Sequence, residues 1–425
     1  MEIIPIKVLP ADAERGCVNI TREYLSPEGL ECKEIYNIER ESDYTNEKKY
    51  RISPDNGKTW GEWQNLNTDS LSKMYGDDEL IFANTDWLWN PVHKHYVSTY
   101  WTRYFLGGHK EAYRGYWQQG LNTFLDHQYI DIKDSDGNFV SRKLVKYEDG
   151  VDFDENNPKN PEFLYKNCGY INAPTVLSNG DIAVPVGIPI KTACEIAGLD
   201  VNEVFPSCYA IHRSVMVAVG KFNKEKNEYD FTFSNPVILN DLQSSRGIDE
   251  PIVTELASGR LILVMRGSNV QSANWKTRIA SGTPTYKWFA SSDDGGKTFT
   301  EAAPWEFNDG DKIYSAATIS AFIRSTKNGS LYWVGNISDE KAYGNFPRFP
   351  LYIAEVDDKI GCLKKETLTV IDTRREGETE KVQLSNFSLY EDRETLDFEI
   401  CLAKIGQLDE NRPFIGESWK YIITP

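Results

Sequence analysis

One pattern returns six times along this chain: an apolar or alternating run, a tight turn, and a second run of similar length. GYINAPTVLSNGDIAVPVG (169–187) turns at Asn179-Gly180, and GIDEPIVTELASGRLILVMRG (247–267) turns at Ser258-Gly259. YSAATISAFIRSTKNGSLYWVGN (314–336) turns at Asn328-Gly329. Such dipeptides supply the positive φ angles that short hairpins require. Less regular copies lie at 18–40, turning at Pro27-Glu28-Gly29, at 86–105, turning around Asn90-Pro91, and at 384–403, turning near Arg393-Glu394. No low-complexity linker separates the copies. Units of this kind bury their faces against one another, which leaves few architectures open.

Each hairpin is followed by a further strand pair. The pairs read KKYRIS and EWQNL, VSRKLVKY and VDFDE, SVMVAVGKF and YDFTFS, TYKWFASS and TFTEA, PLYIAEVD and TLTVID. After the sixth hairpin only SWKYIIT remains, one strand short, and the N-terminal EIIPIKVL can supply the missing strand. Four-stranded units in a closed circle are the blades of a propeller, and closure hides an edge that would otherwise invite aggregation. The predicted fold is therefore all-β, a six-bladed β-propeller with seven blades as the alternative. It is read as one domain over residues 1–425, with the ring closed by the N-terminal strand. A chain of 425 residues is within reach of one all-β domain.

Two of the expected turns between third and fourth strands share a motif. SPDNGKTW (53–60) and SDDGGKTF (292–299) both fit Ser-x-Asp-x-Gly-x-Thr-aromatic, and YEDGVDF (147–153) reads as a degenerate third copy. The motif resembles the Asp box of the sialidase and bacterial-neuraminidase-repeat propeller superfamily, where the resemblance implies a structural turn. The chemistry agrees: Asp accepts turn amides, Gly permits positive φ, and the aromatic packs between strands. Metal binding by Asp55 or Asp294 is not expected.

A formal charge of -17 argues against a nucleic-acid partner, which needs a clustered basic footprint. It does not exclude an anionic small ligand, provided arginines gather in one cleft where the local field outweighs the net charge. No apolar stretch approaches the roughly 20 residues of a membrane span. The N-terminus has no signal pattern, so a cytoplasmic location is expected, or export with the leader absent from this chain. Seven scattered cysteines without a CxxC pair read as free buried thiols. Cys208 and His212, four apart, lack a second pair of ligands, and His93 and His95 in NPVHKH read as solvated turn residues. No metal and no cofactor is expected, a structural or carboxylate-bridging divalent cation staying open.

Antiparallel order sorts the chain into two faces. The hairpin turns and the Asp-containing turns lie on one. The starts of first and third strands and the ends of second and fourth strands lie on the other, together with the longer connections 105–128, 188–208 and 267–284. That second face is where a rigid scaffold places function. Glu250 starts a first strand and Arg266 ends its partner; Arg103 holds the equivalent place in the second blade, with His109 following. Tyr170 and Asn172 open the third blade, His212 and Arg213 start its third strand, Arg246 precedes Glu250, and Arg348 precedes a third strand in the fifth blade. Arginines, acids, histidines and tyrosines thus converge on one end.

EPIVTELASGRLILVMR resembles the Glu-Pro…Arg segment of sialidases. The resemblance implies that Glu250 partners the nucleophile and that Arg266, with Arg348, belongs to a cluster holding the sugar carboxylate, a task for which the guanidinium fork is suited. Two segments differ from the family. GCVNITREY stands where a Phe/Tyr-Arg-Ile-Pro motif opens the first blade, and Asn386 in LSNFSLY stands where a tyrosine nucleophile opens the last. The remaining inventory is similar to that of propeller polysaccharide lyases, including ulvan and rhamnose-glucuronate lyases. These neutralise a uronate carboxylate, remove the adjacent carbon-bound proton, and protonate the leaving oxygen. His109 or His212 would be the base, Tyr170 the acid, and Arg103, Arg213 or Arg266 the carboxylate partner. The expected function is cleavage of an acidic oligosaccharide or polysaccharide by a uronate lyase. A sialidase-like hydrolase and a non-catalytic glycan-binding propeller are the alternatives.

Overall fold

The computed structural model describes residues 1–66, 71–206, 211–269, 283–338 and 342–425. The fold class is all-β, and six antiparallel sheets, one per recurrent unit, are the blades of a six-bladed β-propeller. The chain divides into two compact units, Met1–Thr68 with Trp305–Pro425, and Asp69–Pro304. Each unit contributes three blades.

In the unit formed by both termini, the first blade is Cys17–Tyr24, Cys32–Glu39, Glu47–Ser53 and Gln64–Asn65. The fifth is Ser320–Arg324, Leu331–Asn336, Leu351–Glu355 and Thr369–Asp372. The sixth takes Phe387–Glu391, Phe398–Ala403 and Ser418–Thr424 from the end of the chain. Its fourth strand is Glu2–Leu9, which runs from Glu2 opposite Thr424 to Leu9 opposite Ser418. The N-terminal segment thus fills the place the strand count leaves vacant. Val18, Ile20, Tyr36, Ile38 and Cys401 pack between the sixth and first blades. At about 1.5–3 kcal/mol per fully buried large apolar side chain, such layers outweigh the exposed ion pairs on the blade edges, worth about 0–1 kcal/mol each.

In the central unit the third blade is Tyr170–Ile171 with Thr175–Val176, then Ile182–Pro189, Arg213–Asn223 and Glu228–Phe233. The fourth is Ile248–Glu255, Leu261–Gly267, Lys287–Ser292 and Ala303–Pro304. Their facing surfaces bury Ala183, Val215, Val217, Val253 and Leu263 in one layer.

The second blade departs from the pattern the sequence predicts. Its third strand is Phe124–Lys133 and its fourth Phe139–Leu144, so VSRKLVKY is not the third strand and VDFDE is not a strand at all. Its first strand is interrupted: Asp78–Asn84 and Leu88–Asn90 both pair with His95–Phe105. The turn before the fourth strand is accordingly not YEDGVDF but the one around Asp134. The Asp134 carboxylate accepts the amides of Asp136 at 3.0 Å and Asn138 at 2.8 Å and the Asn138 side-chain amide at 3.0 Å.

Asp55 and Asp294 do the same in the two full motifs. Each accepts the amide and the hydroxyl of the following threonine, Thr59 at 2.7 and 2.7 Å and Thr298 at 2.9 and 2.7 Å. These bonds hold both carboxyls below the usual range, at about 2 for Asp294. Both aspartates are spent on shaping the turn.

His95 corrects another expectation. It is 5% exposed, with Nε2 2.8 Å from the Tyr229 hydroxyl. Burial, with His93 beside it, pushes its pKa down to about 4. Asn90 shapes the turn: its carbonyl oxygen accepts the amides of Val92 and His93 while its amide donates to Gly180 O and Tyr229. The turn residues Pro91, Val92 and Lys94 stay exposed, while His95 is already the first residue of the buried strand His95–Phe105. The six cysteines among the described residues are free thiols, five of them buried. Cys208 lies outside the described residues, and so does its spacing to His212.

Candidate functional site

The fourth blade begins with an irregularity that organises everything near it. Asp249 pairs with Arg266 and Ile252 with Val264, so three steps on one strand face two on the other. The extra residue makes a β-bulge, and Glu250 within it has φ 46°. For a residue with a Cβ the left-handed region costs roughly 1–2 kcal/mol, and such cost concentrates at functional sites. The geometric gain is specific. Successive side chains of a regular strand point to opposite faces. Here both Asp249 and Glu250 reach the same guanidinium: Arg266 Nη1 donates to Glu250 Oε1 at 2.7 Å, and Arg266 Nη2 lies 3.6 Å from an Asp249 oxygen.

From Arg266 the charges continue in alternation across three blades. Asp249 lies 3.9 Å from Arg213 Nη1. Arg213 Nη2 donates to Asp126 at 3.2 Å, and Asp126 takes the two-pronged bond of Arg103 at 2.6 and 3.0 Å. Asp126 is 1% exposed. Burial would raise its pKa, but Arg103 and then Arg213 reverse this and hold the carboxyl below its usual range. Burial likewise opposes the charge on Arg213 and Arg266, and the flanking acids overcome it in both, Asp249 first for Arg213 and Glu250 first for Arg266. Two glycines make room. A Cβ on Gly187 would stand 3.1 Å from Asp249 Oδ1, and one on Gly247, at φ 70°, would stand 2.3 Å from the Arg213 carbonyl oxygen.

Over this ladder opens a small cleft lined by Tyr116, Trp117, His212, Arg213, Arg246, Asp249, Arg266 and Ser268. Its aromatic wall comes from the connection between the second and third strands of the second blade. There the helix Gly108–Arg114 runs on as one π-helical turn, Gly115–Gln119. The Tyr116 ring stacks on Phe124 and its hydroxyl donates to Ile211 O at 2.9 Å, which fixes the wall. Trp117 is partly exposed, with the Arg246 guanidinium 5.8 Å from its ring centre. Arg246 Nη1 donates to the Ser268 hydroxyl at 3.1 Å. His212 is 5% exposed and packs on Phe205.

Of the residues the sequence singles out, the structure brings His212, Arg213, Arg246 and Arg266 to the cleft. Glu250 and Arg103 stand in the ladder behind it. Tyr170 lies 5.7 Å from the Arg213 guanidinium, and burial, then Glu250 and Asp249, push its pKa up, so the phenol keeps its proton. Asn172 ties blades together: its amide donates to Pro251 O at 2.8 Å and its carbonyl oxygen accepts Thr99 Oγ1. His109 stands on the helix Gly108–Arg114 with its ring on Phe105 and Tyr113. Arg348 belongs to the other unit, where it donates to Gln383 at 2.7 Å and to Asn345 O at 3.0 Å. Sequence reasoning missed Asp126, Asp249, Trp117 and Tyr116. Asp249 could have been found: it stands next to Glu250, and a Glu-Pro step inside a strand pattern is a signal for a bulge.

No family model and no curated protein matches the chain. Among solved structures it is similar to a protein of unknown function from Dyadobacter fermentans, at 14% identity and a TM-score of 0.53, with 99% of each chain covered. It is also similar to a mutant of the NanB sialidase from Streptococcus pneumoniae, at 10% identity and a TM-score of 0.54, covering 99% of this chain and 70% of that one. A Trypanosoma rangeli sialidase in complex with sialic acid gives 13% identity and a TM-score of 0.47, and this chain spans 59% of its length. At such identities the likeness is one of fold: the chain is a β-propeller built in the manner of a sialidase's.

Proposed function

We propose that the chain is a carbohydrate-active enzyme that cleaves an acidic glycan at this cleft by elimination beside a uronate carboxylate. The observation that carries the reading is the company His212 keeps: its imidazole lines one cleft together with Arg213, Arg246 and Trp117. An indole face offers a flat apolar platform for the C–H face of a sugar ring. The cleft lining gathers three guanidiniums (Arg213, Arg246, Arg266) around the single carboxylate of Asp249, a setting suited to an anionic ligand. A guanidinium on the uronate carboxylate makes the neighbouring carbon-bound proton easier to remove, and a neutral imidazole can take it. The carbon–oxygen bond to the next sugar then breaks, and the leaving oxygen receives a proton, for which the protonated phenol of Tyr170 is the candidate. The fold-level likeness to a sialidase supports carbohydrate as the substrate class.

Hydrolysis is the second reading, favoured by the Asp249 carboxylate in the cleft lining. A panel of uronate oligosaccharides separates the outcomes. Ultraviolet absorbance from an unsaturated uronate end is expected, and it should vanish in His212→Ala. New reducing ends without that absorbance would mean hydrolysis. Binding without either product would leave a glycan-binding propeller.

A further inference from the structure

Of the three carboxylates in the ladder, Asp249 is the one not closed onto a guanidinium at hydrogen-bond distance, while Glu250, bonded through Oε1, keeps Oε2 buried without a hydrogen-bond partner. Asp126 grips Arg103 and Arg213 at 2.6 to 3.2 Å, and Glu250 grips Arg266 at 2.7 Å. Asp249, between the two guanidiniums, approaches them no closer than 3.9 and 3.6 Å. The separation is held from every side. Arg213 is tied to Asp126, Arg266 to Glu250, and Asp249 itself by Oδ1, which accepts the Glu250 amide at 2.9 Å and rests against Gly187. Oδ2 makes no hydrogen bond among the described residues, and the residue lines the cleft. The cleft therefore presents a carboxylate acceptor with a guanidinium donor on either side, all three fixed at spacings too long to close on one another.

We infer that the Arg213–Asp249–Arg266 edge reads sugar hydroxyls, and that the carboxylate of an acidic ligand is received on the Arg246 and His212 side of the cleft. This rests on the glycan reading of the site and assigns its two edges. A hydroxyl both donates and accepts. It can donate to Asp249 Oδ2 while accepting an N–H of Arg266 or Arg213, and two neighbouring hydroxyls can use both sides. A carboxylate only accepts, so at this edge Asp249 repels it. The arginines that most resemble a carboxylate clamp are thereby committed, through Asp249, to neutral oxygen. Glu250 touches no ligand in this arrangement; it is a positioning residue that fixes Arg266.

Calorimetric titration of the intact chain with methyl glucuronide, methyl galacturonide, their singly deoxygenated counterparts and the matching neutral methyl glycosides tests this without altering the protein. At least one deoxygenated uronide should bind about tenfold more weakly than its parent, the loss expected for a hydrogen bond to a charged group. In Asp249→Asn that difference should shrink to within about twofold. The neutral glycosides, lacking the carboxylate, should bind more weakly than the uronides, and equal binding would overturn the assignment of the carboxylate to the Arg246 and His212 side. If wild type binds every deoxygenated uronide as tightly as its parent, the inference is overturned and the acidic-glycan reading survives. If Asp249→Asn, folded by its melting curve, keeps the full tenfold discrimination, the inference is overturned as well. If wild type binds none of the sugars, the glycan reading falls and the inference with it.

Discussion

Replacing Asp126 by Asn is the sharpest test of the ladder. The side chain keeps its shape and loses the charge that holds Arg103 at 2.6 and 3.0 Å and Arg213 at 3.2 Å. Removing one partner of a buried ion pair costs about 3–5 kcal/mol, since the remaining charge stays buried without compensation. The two arginine side chains are 12% and 16% exposed, and Arg213 retains Asp249 nearby, so the low end applies, about 3 kcal/mol. For a cooperative unit of this size that corresponds to a fall in Tm of roughly 6–12 °C. The pH dependence has a definite sign. The folded-state carboxyl titrates below its ordinary value, near 3.9, so its stabilisation is complete above about pH 4 and is lost as pH falls toward the lower folded value. The gap between wild type and Asp126→Asn should therefore be constant from pH 5 to 8 and narrow below about pH 4. Scanning calorimetry across that range reads both quantities. A gap smaller than about 1 °C at pH 7, or one that widens on acidification, would refute the ladder as a stabilising structure.

His95 is buried neutral, its pKa down from 6.5 to about 4. The folded state then resists the proton that the unfolded state accepts, so stability should fall between pH 6.5 and 4, and fall less steeply in His95→Gln. Asp55→Ala and Asp294→Ala remove the bonds to Thr59 and Thr298 and should lower Tm while leaving turnover on the cleaved oligosaccharide unchanged. Lys404 is fully buried between Asp372 at 2.9 Å and Glu378 at 3.0 Å. Lys404→Met should destabilise by about 3–5 kcal/mol, seen as a shifted denaturation midpoint at unchanged slope. His109→Ala should retain turnover, because its ring packs on Phe105 and Tyr113, whereas His212→Ala should lose it.

The fold was readable wherever strands alternate or end in dipeptide turns. Cys32–Glu39 alternates buried and half-buried positions along its whole length, and the hairpin at Asn179-Gly180 has its glycine at φ 88°. The N-terminal strand was readable by counting, since a sixth blade with three strands demands a fourth. The second blade was not readable, for a chemical reason. FLDHQYIDIK is buried at nine of its ten positions, yet carries Asp126, His127, Gln128 and Asp131. Three of those polar groups have partners well away in sequence, Arg103 and Arg213 for Asp126, Phe163 O for His127 and Gly169 O for Gln128, and Asp131 takes Arg142 across the following hairpin. A strand made buriable by distant partners looks, by itself, like a surface connection.

The site divides along the same line. Arginines at strand ends could be sorted to one face because antiparallel order fixes where each strand begins and stops. Their partners could not, because a period of two assigns neighbours such as Asp249 and Glu250 to opposite faces. The bulge breaks that period at one residue and brings both carboxylates onto Arg266. A bulge is a change of phase, and pattern reading assumes constant phase. What selects it is interaction energy in the folded chain, here an Arg266–Glu250 bond at 2.7 Å set against roughly 1–2 kcal/mol of left-handed backbone. Glycine would occupy φ 46° at less cost but would leave Arg266 without its close anchor. A strained glutamate there makes sense only if the placement of Arg266 matters more than the backbone energy lost, and that is the structural reason for seeking the chemistry at this end of the fourth blade.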